Sequence, residues 1–173
     1  MADLRKITMG EIAQVADIPK ETARQRLKGP LDAADKSFGW GRYDIFTAVM
    51  LSVHAQTLRL CGIQKIAADA AHFAADSVYN LTQHPPHTVK RTGMLAGHYL
   101  IFMQTPQGFW SYIWAKNDDD AAYQVGEKLS LTNVGCVETA GFFSLNIGTV
   151  TDWALDRIFD IQDIGGAEAT VPR

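Results

Sequence analysis

Apolar and polar positions follow a helical period up to about residue 80 of this chain and a strand-like period after position 93. Thr8 to Lys28, TMGEIAQVADIPKETARQRLK, reads as two short helices joined by a tight turn. Thr8 is a good N-cap and Glu11 stands three residues on, which together make a capping box. Met9, Ile12 and Ala13 place apolar groups three and four apart on one face. Ala16-Asp17 breaks the pattern, Ile18 can plug the gap, and Pro19 sits just before a second helix or in its first turn. On that helix Ala23 and Leu27 share the buried face, and Lys20, Thr22, Arg24, Gln25, Arg26 and Lys28 populate the rest. Small residues at 13 and 23 with an aliphatic at 18 let two helices cross closely at a large angle, the helix-turn-helix arrangement. Its second helix offers N-terminal side chains to base edges in the major groove. An ordinary amphipathic helical hairpin with a solvated basic face satisfies the same period.

Gly29-Pro30 stops the second helix. Phe38-Gly-Trp-Gly-Arg-Tyr43 then alternates rings and glycines, as a short hairpin or extended flap does. Arg42 could reach a phosphate from it and Tyr43 brace it; a surface loop pinned by one buried ring is the plainer reading. Asp44 caps a helix running to about residue 60, so apolar that it should lie centrally in its domain or at a subunit contact. Gly62 ends it. The alanine-rich helix that follows, from Ile63, allows close approach of a second helix, including its own copy in a dimer. Residues 80–93, with Pro85-Pro86, predict a linker. Beyond it come strands over 94–104 and 109–116, a short helix over 121–129 and two strand-like pieces within 130–148. Thr151 or Asp152 caps a last helix, and residues from 160 on read as a frayed tail. The expected fold class is a mostly α winged helix-turn-helix domain over 1–79, followed by a small α+β dimerisation or sensing domain over 94–165.

Charge changes the picture only when it is divided. The net charge of the 173 residues is −3. Residues 1–44 nevertheless hold eight Lys/Arg against seven Asp/Glu, and Lys20 to Lys28 hold four basic residues against Glu21 alone. Counterion release follows the charges that face phosphates, so an acidic body behind a basic head is compatible with DNA binding. Too few such charges are present for one copy to bind tightly, which predicts a dimer. At 47% apolar the chain can build a core. It has no apolar run of about 20 residues to span a membrane, and no secretory signal pattern, so a cytoplasmic location is expected. Cys61 and Cys136 are too few for a disulfide framework.

The order of landmarks resembles the DNA-binding domain of MerR-type transcriptional regulators, a winged helix-turn-helix, over roughly residues 7–75. Met9-Gly-Glu-Ile-Ala13 is similar to that family's opening helix, and Asp17-Ile-Pro-Lys-Glu-Thr-Ala-Arg24 to its recognition segment. Gly39-Trp-Gly-Arg-Tyr43 looks like its wing signature, and Cys61-Gly-Ile-Gln-Lys-Ile66 like its later Leu-Gly-Phe-Ser-Leu segment. The resemblance implies that Lys20, Thr22, Arg24 and Gln25 touch the major groove and that Arg42 and Tyr43 serve the wing and the backbone. The chain departs from the family in carrying Arg26 where an aromatic is common, and in lacking the long coiled coil and metal-sensing cysteines.

Other chemistry is sparse. His84-Pro-Pro-His87 lacks converging ligands, Asn117 to Asp120 lacks the glycine and distal glutamate of a calcium loop, and Cys61 lacks a base with an orienting third group. No metal, cofactor or enzymatic activity is therefore expected. Phe109 to Trp114 puts rings on both faces of one strand. Core filling, self-association or an aromatic ligand pocket would each explain it. The function expected is that of a sequence-specific DNA-binding transcriptional regulator acting as a homodimer on double-stranded DNA, with Lys20, Thr22, Arg24, Gln25, Arg26, Lys28, Arg42 and Tyr43 as the DNA-contacting set. A small-molecule or protein partner belongs to its second domain. The alternative is a phage-type DNA-packaging, architectural or adaptor protein using the same winged domain.

Overall fold

The computed structural model describes residues 2–32, 42–83, 87–104, 108, 110–133 and 141–171. The chain is a mixed α/β protein with several helices and small sheets. It divides into two units, one formed by Met1–Leu95 with Val150–Arg173, the other by Ala96–Thr149.

The first unit opens with β1 (Ala2–Asp3), β2 (Ile7–Thr8), α1 (Met9–Val15) and α2 (Lys20–Lys28). The capping box at Thr8 forms as its residue types require: Glu11 N–H donates to Thr8 Oγ1, and Thr8 N–H donates to Glu11 Oε2 at 2.8 Å. Next come β3 (Arg42–Tyr43), antiparallel to β2, and α3 (Ile45–Cys61). Asp44 caps α3 by accepting from Thr47 N–H, and Gly62, at φ 69°, ends it in the left-handed region that glycine enters without strain. Eleven of the seventeen α3 side chains are buried, as its apolar sequence demands.

α4 (Gln64–Thr82) lies along α3. Ala67, Ala70, Ala71, Ala74 and Ala75 are buried, because small side chains let the two helices close on each other. That alanine face, a candidate dimer contact from sequence, is thus already covered within the chain. The large apolar side chains that α4 leaves exposed are Tyr79 and Leu81.

The segment expected as a linker contains the end of α4 and β4 (Thr88–Lys90); the Pro-Pro step lies outside the described residues. The expected frayed tail is instead ordered. After α6 (Ile147–Ile161), β8 (Glu168–Thr170) inserts between β1, which it pairs in parallel, and β4, which it pairs antiparallel. Ala2 faces Ala169 and Val89 faces Ala169, so residues from both ends of the sequence share one three-stranded sheet. Gln162 reinforces the junction by donating to Arg5 O and accepting from Arg5 N–H, both at 2.9 Å. Arg91 clasps Asp156 and Asp160 of α6.

The second unit is a three-stranded antiparallel sheet in the order β6 (Trp110–Ala115), β5 (Tyr99–Gln104), β7 (Gly141–Asn146). Leu100, Phe102 and Gln104 share a face with Trp114, Tyr112 and Trp110 and with Leu145 and Phe143. α5 (Asp118–Asn133) runs longer than the expected short helix and absorbs the start of the strand-like piece before 134. The rest of that piece lies outside the described residues. α6 begins a turn before the expected caps, because Asn146 Oδ1 accepts the Thr149 N–H at 2.9 Å and caps it earlier.

Candidate nucleic-acid interface

The α1–α2 pair is positioned by its turn. Ala16 remains right-handed while Asp17 takes φ 53°, and Ile18 N–H donates back to Ala13 O at 3.0 Å. Pro19, at φ −58° and ψ 143°, starts α2, and its carbonyl accepts from Ala23 N–H. Proline suits this place because its missing N–H would have no helical partner there. Ala23 and Leu27 are fully buried, which fixes the rotation of α2 about its axis.

That rotation decides which side chains face outward. Lys20, Arg24 and Lys28, four residues apart, run along one exposed stripe, with Gln25 exposed beside it. Thr22 is half-buried on the flank. Arg24 is 46% exposed and pairs with Glu21 at 2.5 Å. This exposed pair is worth little and yields readily to a better acceptor. Arg42 is exposed on β3 opposite Thr8, next to the N-terminus of α1. Residues 38–41 of the glycine-aromatic flap lie outside the described residues.

Two residues of the expected contact set are placed differently. Tyr43 is only 7% exposed; paired with Ile7, its ring belongs to the core and braces β3 from within. Arg26 stands three residues after Ala23 and one before Leu27, on the edge of the buried face. It is half-buried, and its Nη1 is enclosed without a hydrogen-bond partner among the described residues. Burial and the charge of Arg59 lower its pKa. The i, i+3 spacing to Ala23 was the sequence signal that set Arg26 apart from Arg24.

Arg59, near the end of α3, is a residue that sequence reasoning passed over. It donates to the carbonyl of Asp17 and pairs with the Asp17 carboxylate at 3.1 Å, tying the α1–α2 turn to α3 across 42 positions. No local pattern announces so distant a partner. Among the described residues no three His, Cys, Asp or Glu side chains come together as a metal site, and no helix is long and apolar enough to cross a membrane.

Comparison of the chain with protein-family models, with curated proteins and with solved structures gives no significant match. The geometry must therefore carry the functional reading by itself.

Proposed function

We propose that the chain is a sequence-specific DNA-binding transcriptional regulator whose N-terminal unit is a winged helix-turn-helix, with α2 as the recognition helix. The observation that supports this reading is the exposed stripe of Lys20, Arg24 and Lys28 with Gln25 beside it, on a second helix held in fixed rotation by Ala23 and Leu27. Arg24 and Gln25 have the donor geometry to read base edges: guanidinium to guanine, amide to adenine. Lys20, Lys28 and Arg42 supply phosphate contacts that set register without reading sequence. So few phosphate partners give weak binding by one copy, and two copies on an inverted repeat is the arrangement that accumulates enough. The second unit, with Tyr123 and Phe142 exposed, is the proposed seat of the contact with another copy or with an effector.

Selection from random duplex DNA at a stated salt concentration, with sequencing of the bound pool, tests this. Enrichment of an inverted repeat is expected. On the selected site, Arg24→Ala should lower the preference over scrambled duplex by about tenfold, whereas Lys28→Ala should weaken both duplexes alike and reduce the salt slope by about one. A bound pool as random as the input would overturn the reading.

A further inference from the structure

Among the described residues, the sheet of the second unit ends at β6, which pairs with β5 on one side and with no strand on the other. Its exposures are those of an edge. Ser111, Tyr112 and Trp114 are exposed and Trp110 and Ile113 partly so, whereas Leu100, Ile101 and Phe102 of the neighbouring β5 are buried. Natural edge strands are blunted by a charge, a proline or a bulge, because an edge is a template for a further strand. β6 carries none of these. Its sequence is WSYIWA, without charge or proline, and Trp110–Ala115 keeps unbroken register with β5.

The side chains narrow which strand fits. Trp110, Tyr112 and Trp114 stand at every second position and share one face. Tyr112 and Trp114 are 41% and 45% exposed. The rings are also held in place: Tyr112 lies 5.4 Å from the Phe102 ring, and Trp114 stacks on His98 at 5.8 Å, with Lys116 5.6 Å from the Trp114 centroid. β7, the other outer strand, puts Phe142 and Phe143 on opposite faces and offers no such stripe.

We propose that β6 is the pairing edge of a two-fold dimer, in which β6 of a second copy runs antiparallel to it with Tyr112 at the axis. That register sets Trp110 of each copy opposite Trp114 of the other, and Tyr112 opposite its own counterpart. All these rings fall on one face, and aromatic pairs directly across antiparallel strands are among the more stabilising. Ser111 and Ile113 oppose each other on the other face, and no charge meets a like charge. β6 is thus complementary to itself, the condition for a two-fold interface. A ladder of six residues buries less than the roughly 800 Å² per partner of a standard interface, so the dimer dissociates in the micromolar range. It meets the need of the DNA-binding reading for two copies but rests on the sheet edge alone.

Sedimentation of the full chain without DNA, from low to high micromolar concentration, should show monomer giving way to dimer. Amide hydrogen exchange within residues 110–115 should slow over the same range. Tyr112→Lys places like charges directly opposite at the axis and should raise the dissociation constant about tenfold or more; Tyr112→Glu should do the same. Mixed in equal amounts, the two variants should regain a dimer, because lysine then faces glutamate. A wild type that stays monomeric throughout overturns the proposal and leaves the edge to a strand of a different protein. A dimer that both variants leave intact overturns it too, as do variants that lose the dimer singly and fail to regain it when mixed. Should either variant fail to fold, exchange in the wild type decides, and protection of 110–115 that is independent of concentration overturns the pairing. A dimer that selects no DNA sinks only the DNA-binding reading; a monomer that still enriches an inverted repeat sinks only the pairing edge.

Discussion

His54 makes the stability of the first unit depend on acid in a way that can be calculated. Burial, first, and then the charges of Arg26 and His72 lower its pKa from 6.5 to about 4. Between these values the unfolded chain holds a proton on this ring that the folded chain refuses. Stability contributed at this site is therefore full above pH 6.5, falls as the pH drops, and is entirely lost near pH 4. At about 1.4 kcal/mol per pH unit the total comes to about 3 kcal/mol, an appreciable share of a typical folding free energy. Carboxylates titrate in the same range, so the comparison must be differential. Urea unfolding, followed by the helical circular dichroism signal in phosphate-free buffers from about pH 4 to 7.5, should be run on wild type and His54→Leu. The variant keeps the bulk apolar and cannot take the proton. The stability difference between the two should be flat above pH 6.5 and then move by about 3 kcal/mol in favour of the variant by pH 4. Parallel curves throughout that range would refute the account, because they would mean that folded His54 accepts its proton freely.

Three further perturbations address the elements that hold the candidate interface in place. Gly62→Ala should destabilise by about 1 kcal/mol through its backbone alone, since φ is 69° and a Cβ there meets nothing within 4 Å; an unchanged urea midpoint would contradict this. Glu11, held by the Arg5 guanidinium and the Thr8 cap, has its pKa lowered to about 2, so its contribution is full above about 4.5 and is lost as the pH falls toward 2. Its carboxyl NMR titration should move up toward 4.5 in Arg5→Ala, while Thr8→Ala should cost about 1 kcal/mol of stability. Ala169→Asp, at a fully buried position in the central strand of the terminal sheet, should cost about 3 kcal/mol or more. It should also expose to hydrogen exchange the Leu4 amide that now donates to Thr170 O, whereas Glu168→Ala, at an exposed position facing Lys90 at 3.9 Å, should stay within about 0.5 kcal/mol of wild type.

Much of the scaffold was legible because its causes are local. Thr8 and Glu11 cap α1 within one turn, Asp44 and Gly62 bound α3, and Ala23 with Leu27 orient α2. The exposed stripe of Lys20, Arg24 and Lys28 follows from the helical period once those two residues are buried. The strands at Trp110–Ala115 and Gly141–Asn146 likewise carry their own signals in rings and flanking turn residues.

Tertiary structure alone decided the rest. Strands of two or three residues, such as β1, β4 and β8, have no periodicity to read and exist because pairing partners arrive from the far end of the chain. The same holds for the burial of the alanine face of α4 against α3, and for Arg59 anchoring Asp17. Arg26 and His54 are the clearest case. By sequence one belongs to a basic helix and the other to an apolar one; only tertiary packing encloses Arg26 Nη1 and His54 Nδ1 without a hydrogen-bond partner among the described residues. Local sequence specified which faces could be buried. Packing determined which polar groups were buried with them, because desolvation depends on every neighbour at once and not on the residue's own place in its helix.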